Sequence, residues 1–179
     1  MLNDLLRQKK SIILGKWLDL ILESYPANSA QFFRQERNQF ANPVGYNLAR
    51  DIESLFDAIV FGENVSRRAV PLDSIIRIRT VQDFAPSQVV RFIFLLKTAI
   101  RDISPDEINT SPNDGEWRAL ESRIDESALQ AFDIYSQCRE KINEIRINEI
   151  KARSFRFMEK TNQSSGISRT EMDSKSDDL

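Results

Sequence analysis

The run VVRFIFLLKTAIR, Val89 to Arg101, decides how this chain folds. Its apolar density admits three readings: a buried core helix, a membrane segment, or a surface built to meet a partner. Arg91, Lys97 and Arg101 lie inside it, and the run falls short of the roughly 18 apolar residues that a membrane helix needs. Pro86 suits a first helical turn, with Asp83 or Ala85 as its cap, and Pro105 bounds the helix at its far end. On a helical wheel Val89, Val90, Phe92, Ile93, Leu95, Leu96, Ala99, Ile100 and Ile103 cover most of the circumference. The remaining edge holds Ser87, Arg91, Thr98 and Arg101, and Phe94 falls on that edge. Two readings of Phe94 stand. Either the helix is wrapped on nearly all sides and Phe94 is core, or the edge is a subunit or ligand surface with Arg91 and Arg101 at its rim.

Outward from this run the periodicity stays helical. Glycine is scarce, with 5 residues in 179, and alternating valine-rich runs are absent. Six helices are predicted. The first runs from Asp4 to Ser24, capped by Asn3 and stopped by Pro26. The second covers Ser29 to Phe40, with Phe32, Phe33 and Phe40 on one side. The third starts at Asn42-Pro43, an N-cap followed by proline at the first helical position, and closes at Gly62. The fourth covers Pro71 to Phe84, with Leu72, Ile75, Ile76 and Val81 inward and Arg77 and Arg79 solvated or paired. The fifth is the opening run. A polar loop, SPDEINTSPNDG, leads to the sixth, from Asp114 to Lys160, roughly 45 residues or about 70 Å. The fold class is all-α: a compact helical bundle with a long C-terminal helix. The division expected is a bundle core over 1–125, the long helix over 114–160 packing on the core and extending from it, and a polar, disordered tail over 161–179.

Composition narrows function more by what it lacks. The chain is 41% hydrophobic and 29% charged, with a net charge of -2, so nothing pulls it toward nucleic acid or anionic lipid. It has no histidine, which removes the usual general base, metal ligand and proximal haem ligand together. The single cysteine, Cys138, excludes an intrachain disulfide and a cysteine-rich zinc site. No glycine loop is spaced to cradle phosphate. The expectation is a protein that is not an enzyme and carries no cofactor or metal. Lys16 and Asp19 break the N-terminal apolar run, and no small-residue cleavage site follows, so the compartment expected is the cytoplasm.

The long helix carries a stripe: Ile124, Ala128, Ala131, Tyr135, Cys138, Ile142 and Ile145, alternating by four and three as a packed helix seam does. At Glu149 the stripe breaks, and Ile147, Ile150, Ser154 and Phe157 continue the spacing on a rotated face among interleaved acids and bases. The first stripe reads either as packing on the chain's own core or as a contact with another helix. The second reads as pairing between subunits or docking to another protein, set against a merely solvated helix. The candidate interface is therefore Arg91, Phe94, Thr98 and Arg101 on one helix, and Tyr135, Cys138, Ile142, Ile147, Ile150 and Phe157 on the other. A homodimer is the expected partner, another signalling or membrane-complex protein the alternative, with neither nucleic acid nor membrane insertion.

Three pieces carry a family resemblance: Trp17 through Tyr25-Pro26, the run Phe40-Ala-Asn42-Pro43-Val44-Gly45, and above all Ile76 to Val89, IRIRTVQDFAPSQV, leading into Phe92-Ile93-Phe94. Together they resemble the N-terminal domain of the stressosome co-antagonist RsbRD over about residues 1 to 155. The resemblance implies a non-catalytic regulatory or sensor domain of bacterial stress signalling. It implies a helical module, globin-like without haem, that dimerises and passes its state along a linker helix to a STAS domain. This sequence shows no STAS domain, so the expectation is a free-standing sensor. The alternative is a structural adaptor whose long helix and tail dock a partner complex without a small-molecule ligand.

Overall fold

The computed structural model describes residues 2–36, 38–62, 66–82, 84–103 and 114–173, with side chains of the last span described from 115 to 161. The polar loop over 104–113, the capping position Asp83 and the end of the expected tail, 174–179, lie outside the described residues. All regular structure among the described residues is α-helical. The elements are α1 (Leu2–Gln8), α2 (Lys10–Leu22), α3 (Ala27–Gln35), α4 (Pro43–Val60), α5 (Ser66–Val81), α6 (Pro86–Ile103) and α7 (Asp114–Asp173). They fall into two compact units divided after Cys138. No helix among the described residues is long and apolar enough to cross a membrane.

The boundaries depart from expectation for local reasons. The first helix begins at Leu2 rather than Asp4, because Leu2 is buried and its amide donates to the Glu116 carboxylate at 2.7 Å. A carboxylate distant in sequence thus serves the helix start in place of Asn3. The same helix is dislocated at Lys9, which leaves helical φ/ψ while still donating to the Leu5 carbonyl at 3.0 Å. The second helix stops at Gln35, not Phe40. There the Asn38 side chain accepts from the Phe40 amide at 2.9 Å, and Asn42 Nδ2 donates to the Glu36 carbonyl at 2.8 Å. Such side chain–backbone bonds compete with a helical ladder. Phe40 consequently lies outside the helix and is 95% exposed, so it shares no inward face with Phe33. Helix α5 starts at Ser66, with Pro71 enclosed and buried, because Arg68 anchors that first turn to α7. Val81, expected inward, is 75% exposed. Helix α7 continues past the expected end at Lys160, where no proline follows to stop it.

The Asn42-Pro43 start is as the sequence predicts. Asn42 Oδ1 accepts from the Gly45 amide at 2.8 Å, with Pro43 at the first helical position. Any Cβ at Gly45 would run into the Asn42 side chain, so glycine is what lets the cap close.

The helices of the first unit share one hydrophobic core. Val89, Phe92, Ile93, Leu96, Ala99 and Ile100 of α6 are buried there, against Ile13, Trp17 and Ile21 of α2, Ile52, Leu55 and Phe56 of α4, and Leu72, Ile75 and Ile76 of α5. Trp117, Leu120, Ile124, Ala128, Ala131 and Tyr135 bring in the start of α7. The Trp17 indole, fully buried, donates Nε1–H to the Phe92 carbonyl at 2.7 Å and stacks on the Phe92 ring, with centroids 6.4 Å apart. Trp17→Phe removes that donor and leaves a void. It is expected to lower unfolding stability by roughly 2–4 kcal/mol, read as a shifted urea midpoint with an unchanged slope.

Candidate functional site: a buried arginine beside an open cavity

Leu72, Ile75 and Ile76 define the inward face of α5, and the next inward position on that face is Arg79. Its side chain is 1% exposed. Nη2 donates to Ser24 Oγ and to the Gln88 carbonyl, each at 3.1 Å, and Nη1 lies 3.5 Å from the Tyr25 hydroxyl. The guanidinium carbon sits 4.3 Å from the Phe84 ring centroid, 5.4 Å from that of Tyr25 and 5.8 Å from that of Phe92. Three aromatic faces thus surround the charge and stabilise it through their quadrupoles. Nε is buried with no hydrogen-bond partner. No carboxylate among the described residues accepts from this guanidinium. Burial lowers the Arg79 pKa from its ordinary value, and the adjacent Tyr25 opposes that shift. The same burial raises the Tyr25 phenol, while Arg79 opposes it. Tyr25 donates onward to Gln82 Oε1 at 3.1 Å.

The connection from α5 to α6 is built to hold this group. Gln88 reaches back so that its Oε1 accepts from the Ala85 amide at 3.0 Å, which is the return half of a capping box with Pro86 at the first helical position. That cap sets the Gln88 carbonyl and the Phe84 ring on Arg79. The run IRTVQDFAPSQ therefore supplies the arginine, one of its acceptors and its closest aromatic face.

A cavity of about 490 Å³ opens beside Arg79, lined by Leu20, Glu23 and Ser24, by Arg79, and by Gln88, Arg91, Phe92, Leu95 and Thr98 of α6. Two of the residues expected at a contact, Arg91 and Thr98, line it together. Phe94 does not; it is 43% exposed on the neighbouring edge, which excludes the wrapped-helix reading, and the Lys97 ammonium lies 5.9 Å from its ring. Arg101 turns instead to Glu121 at 2.7 Å and to the Trp117 ring at 5.2 Å.

A second pair of guanidiniums joins other elements. Arg68, 2% exposed, donates to the Arg123 carbonyl and Glu126 at 3.3 Å and to Ser127 at 3.4 Å. Arg123 Nη2 donates to the Val60 carbonyl at 3.2 Å, satisfying the open end of α4. Burial first, then the Arg68 charge, lowers the Arg123 pKa, with Glu126 opposing. Neither Arg68 nor Arg79 stands out in the sequence as buried. For Arg79 the helical register held the signal; Arg68 lies ahead of Pro71, where no helix was expected.

Along α7 the stripe divides. Ile124, Ala128 and Ala131 are core, as is Tyr135 at 8% exposure, so this candidate contact residue serves the chain's own interior. Cys138 is half-buried. In the second unit Ile142 is half-buried, while Ile145, Ile147, Ile150 and Phe157 are exposed. So are Phe155 and Met158, which the stripe did not include. No cluster of side chains among the described residues is arranged to hold a metal ion.

The family model described as RsbT co-antagonist protein rsbRD N-terminal domain matches residues 12–150. An uncharacterised protein of Archaeoglobus fulgidus is 28% identical over 137 residues, which cover 76% of this chain and 81% of that protein. No solved structure matches the chain.

The raised Tyr25 pKa has a sign that can be checked. A phenol held above its unfolded value of 10.0 contributes stability that is complete below that pH and is lost as pH rises through the folded value. Denaturation of wild type and Tyr25→Phe, compared from pH 8 upward, is expected to show the wild type losing stability relative to the variant above about pH 10. A difference that stays constant with pH would contradict this.

Proposed function

The chain belongs to the RsbT co-antagonist protein rsbRD N-terminal domain family, and on that premise we propose that it is a non-catalytic regulatory module acting by dimerisation and protein–protein contact. The family is of the stress-signalling sensor type. The observation that carries the reading further is the surface of α7 over 145–158. Ile145, Ile147, Ile150, Phe155, Phe157 and Met158 are all between 50% and 73% exposed within one compact unit. Single exposed apolar residues are ordinary; of these six within four turns, Ile147, Ile150 and Phe157 fall on one side of the helix and make the patch that calls for a cover. Ile147, Ile150 and Phe157 follow the three-four spacing by which a second helix packs. Glu140, Glu144, Glu149 and Glu159 are interleaved with the lysines and arginines, which favours another protein over nucleic acid. On the first unit, the exposed Phe94 edge of α6 is a second candidate surface. A cytoplasmic location goes with this reading.

Light scattering tests it. Wild type is expected at the mass of a dimer, and Ile147→Asp with Ile150→Asp at that of one chain, with helical content retained. Phe94→Asp reports separately on the α6 edge. A wild type that stays monomeric at high concentration rules out self-association and leaves docking of a different protein, the adaptor reading, in its place.

A further inference from the structure

We infer that the cavity beside Arg79 is a binding site for a small monocarboxylate carrying a short apolar or aromatic body. Arg79 is 1% exposed, is hydrogen-bonded among the described residues only to neutral groups, and has an Nε–H with no partner. A buried guanidinium donor left unmatched is costly, and a carboxylate oxygen is its best complement. The cavity volume of about 490 Å³ falls within the range of small-ligand sites, roughly 300–1,000 Å³. Its wall is mixed in the required way: Leu20, Phe92 and Leu95 face a hydrocarbon body, while Thr98 offers a hydroxyl to the head group; the Ser24 hydroxyl already donates to the Ile21 carbonyl at 2.6 Å. Arg79 and Arg91 against Glu23 leave one positive charge in excess, which matches a monoanion and disfavours a dianion.

The other candidates lack this combination. Arg68 and Arg123 also keep an unpartnered Nε, but Glu126 faces them and neither lines a described cavity. The cavity of about 550 Å³ lined by Leu18, Leu22, Phe33, Tyr46 and Leu48 has none of the buried unpartnered polar atoms. That the monocarboxylate is the signal sensed rests on the regulatory reading above; the binding itself does not.

Isothermal titration of the full chain with benzoate and butyrate tests the site, with benzamide and inorganic phosphate as comparisons. Benzoate or butyrate is expected to bind saturably, one per chain, and benzamide roughly tenfold or more weaker than benzoate for want of the charge. Arg79→Met is expected to lose the same factor. Because that change disturbs the interior, Leu95→Trp, which fills the cavity from a half-buried position, serves as the second variant. It is expected to abolish binding while the circular dichroism spectrum is unchanged. The inference is overturned if neither carboxylate binds, if phosphate binds as tightly, or if Leu95→Trp keeps the affinity. Carboxylate binding by a strictly monomeric chain leaves the site standing and removes the dimer; a dimer that binds no carboxylate does the reverse.

Discussion

A full positive charge lies inside this bundle where no carboxylate of the described residues meets it, and much of the local architecture follows from that. Arg79 is accommodated by a carbonyl, two hydroxyls and three ring faces. They come from three places: Ser24 and Tyr25 in the turn after α2, Phe84 in the link between α5 and α6, and Gln88 and Phe92 in α6 itself. A guanidinium so deeply buried tolerates little displacement of its partners, because each lost contact leaves a donor unsatisfied. The connection around Phe84 and Gln88 is therefore fixed by an electrostatic demand, and the capping bond from Ala85 to Gln88 is how the backbone meets it.

Trp17 supplies the complementary constraint. Its indole joins α2 to α6 by a bond whose acceptor already belongs to a helix, so the two helices can meet only where Phe92 turns its carbonyl toward α2. Phe92 stacks on Trp17, borders Arg79 and lines the cavity. Core, buried charge and open space thus share one residue.

The helical class and the Asn42 start were legible because they depend on local physics: periodicity, a side chain that caps, and a proline without an amide. The stops were not. The early end at Gln35 follows from Asn38 and Asn42 bonding to nearby backbone, and the early start at Ser66 from Arg68 reaching residues more than fifty positions away. The opening run forms a helix buried along most of its length, with Phe94 on its exposed side. The buried arginines were hidden for a general reason. A charged residue at an inward register position looks like a fault in the pattern until its partners, scattered along the chain, are known. On α7 the stripe of small and apolar residues was visible as one feature, yet it serves two ends, core as far as Tyr135 and open surface from Ile145.

The stacked pair of Trp17 and Phe92 also gives the molecule a built-in optical reporter. The chain has two tryptophans, and both are buried: Trp17 at the inner wall of the cavity's Phe92, Trp117 beneath the guanidinium of Arg101. Their indoles sit in unlike fields, one hydrogen-bonded to a carbonyl and the other facing a cation. Both therefore report on α6, Trp17 through the Phe92 carbonyl and ring and Trp117 through the Arg101 guanidinium.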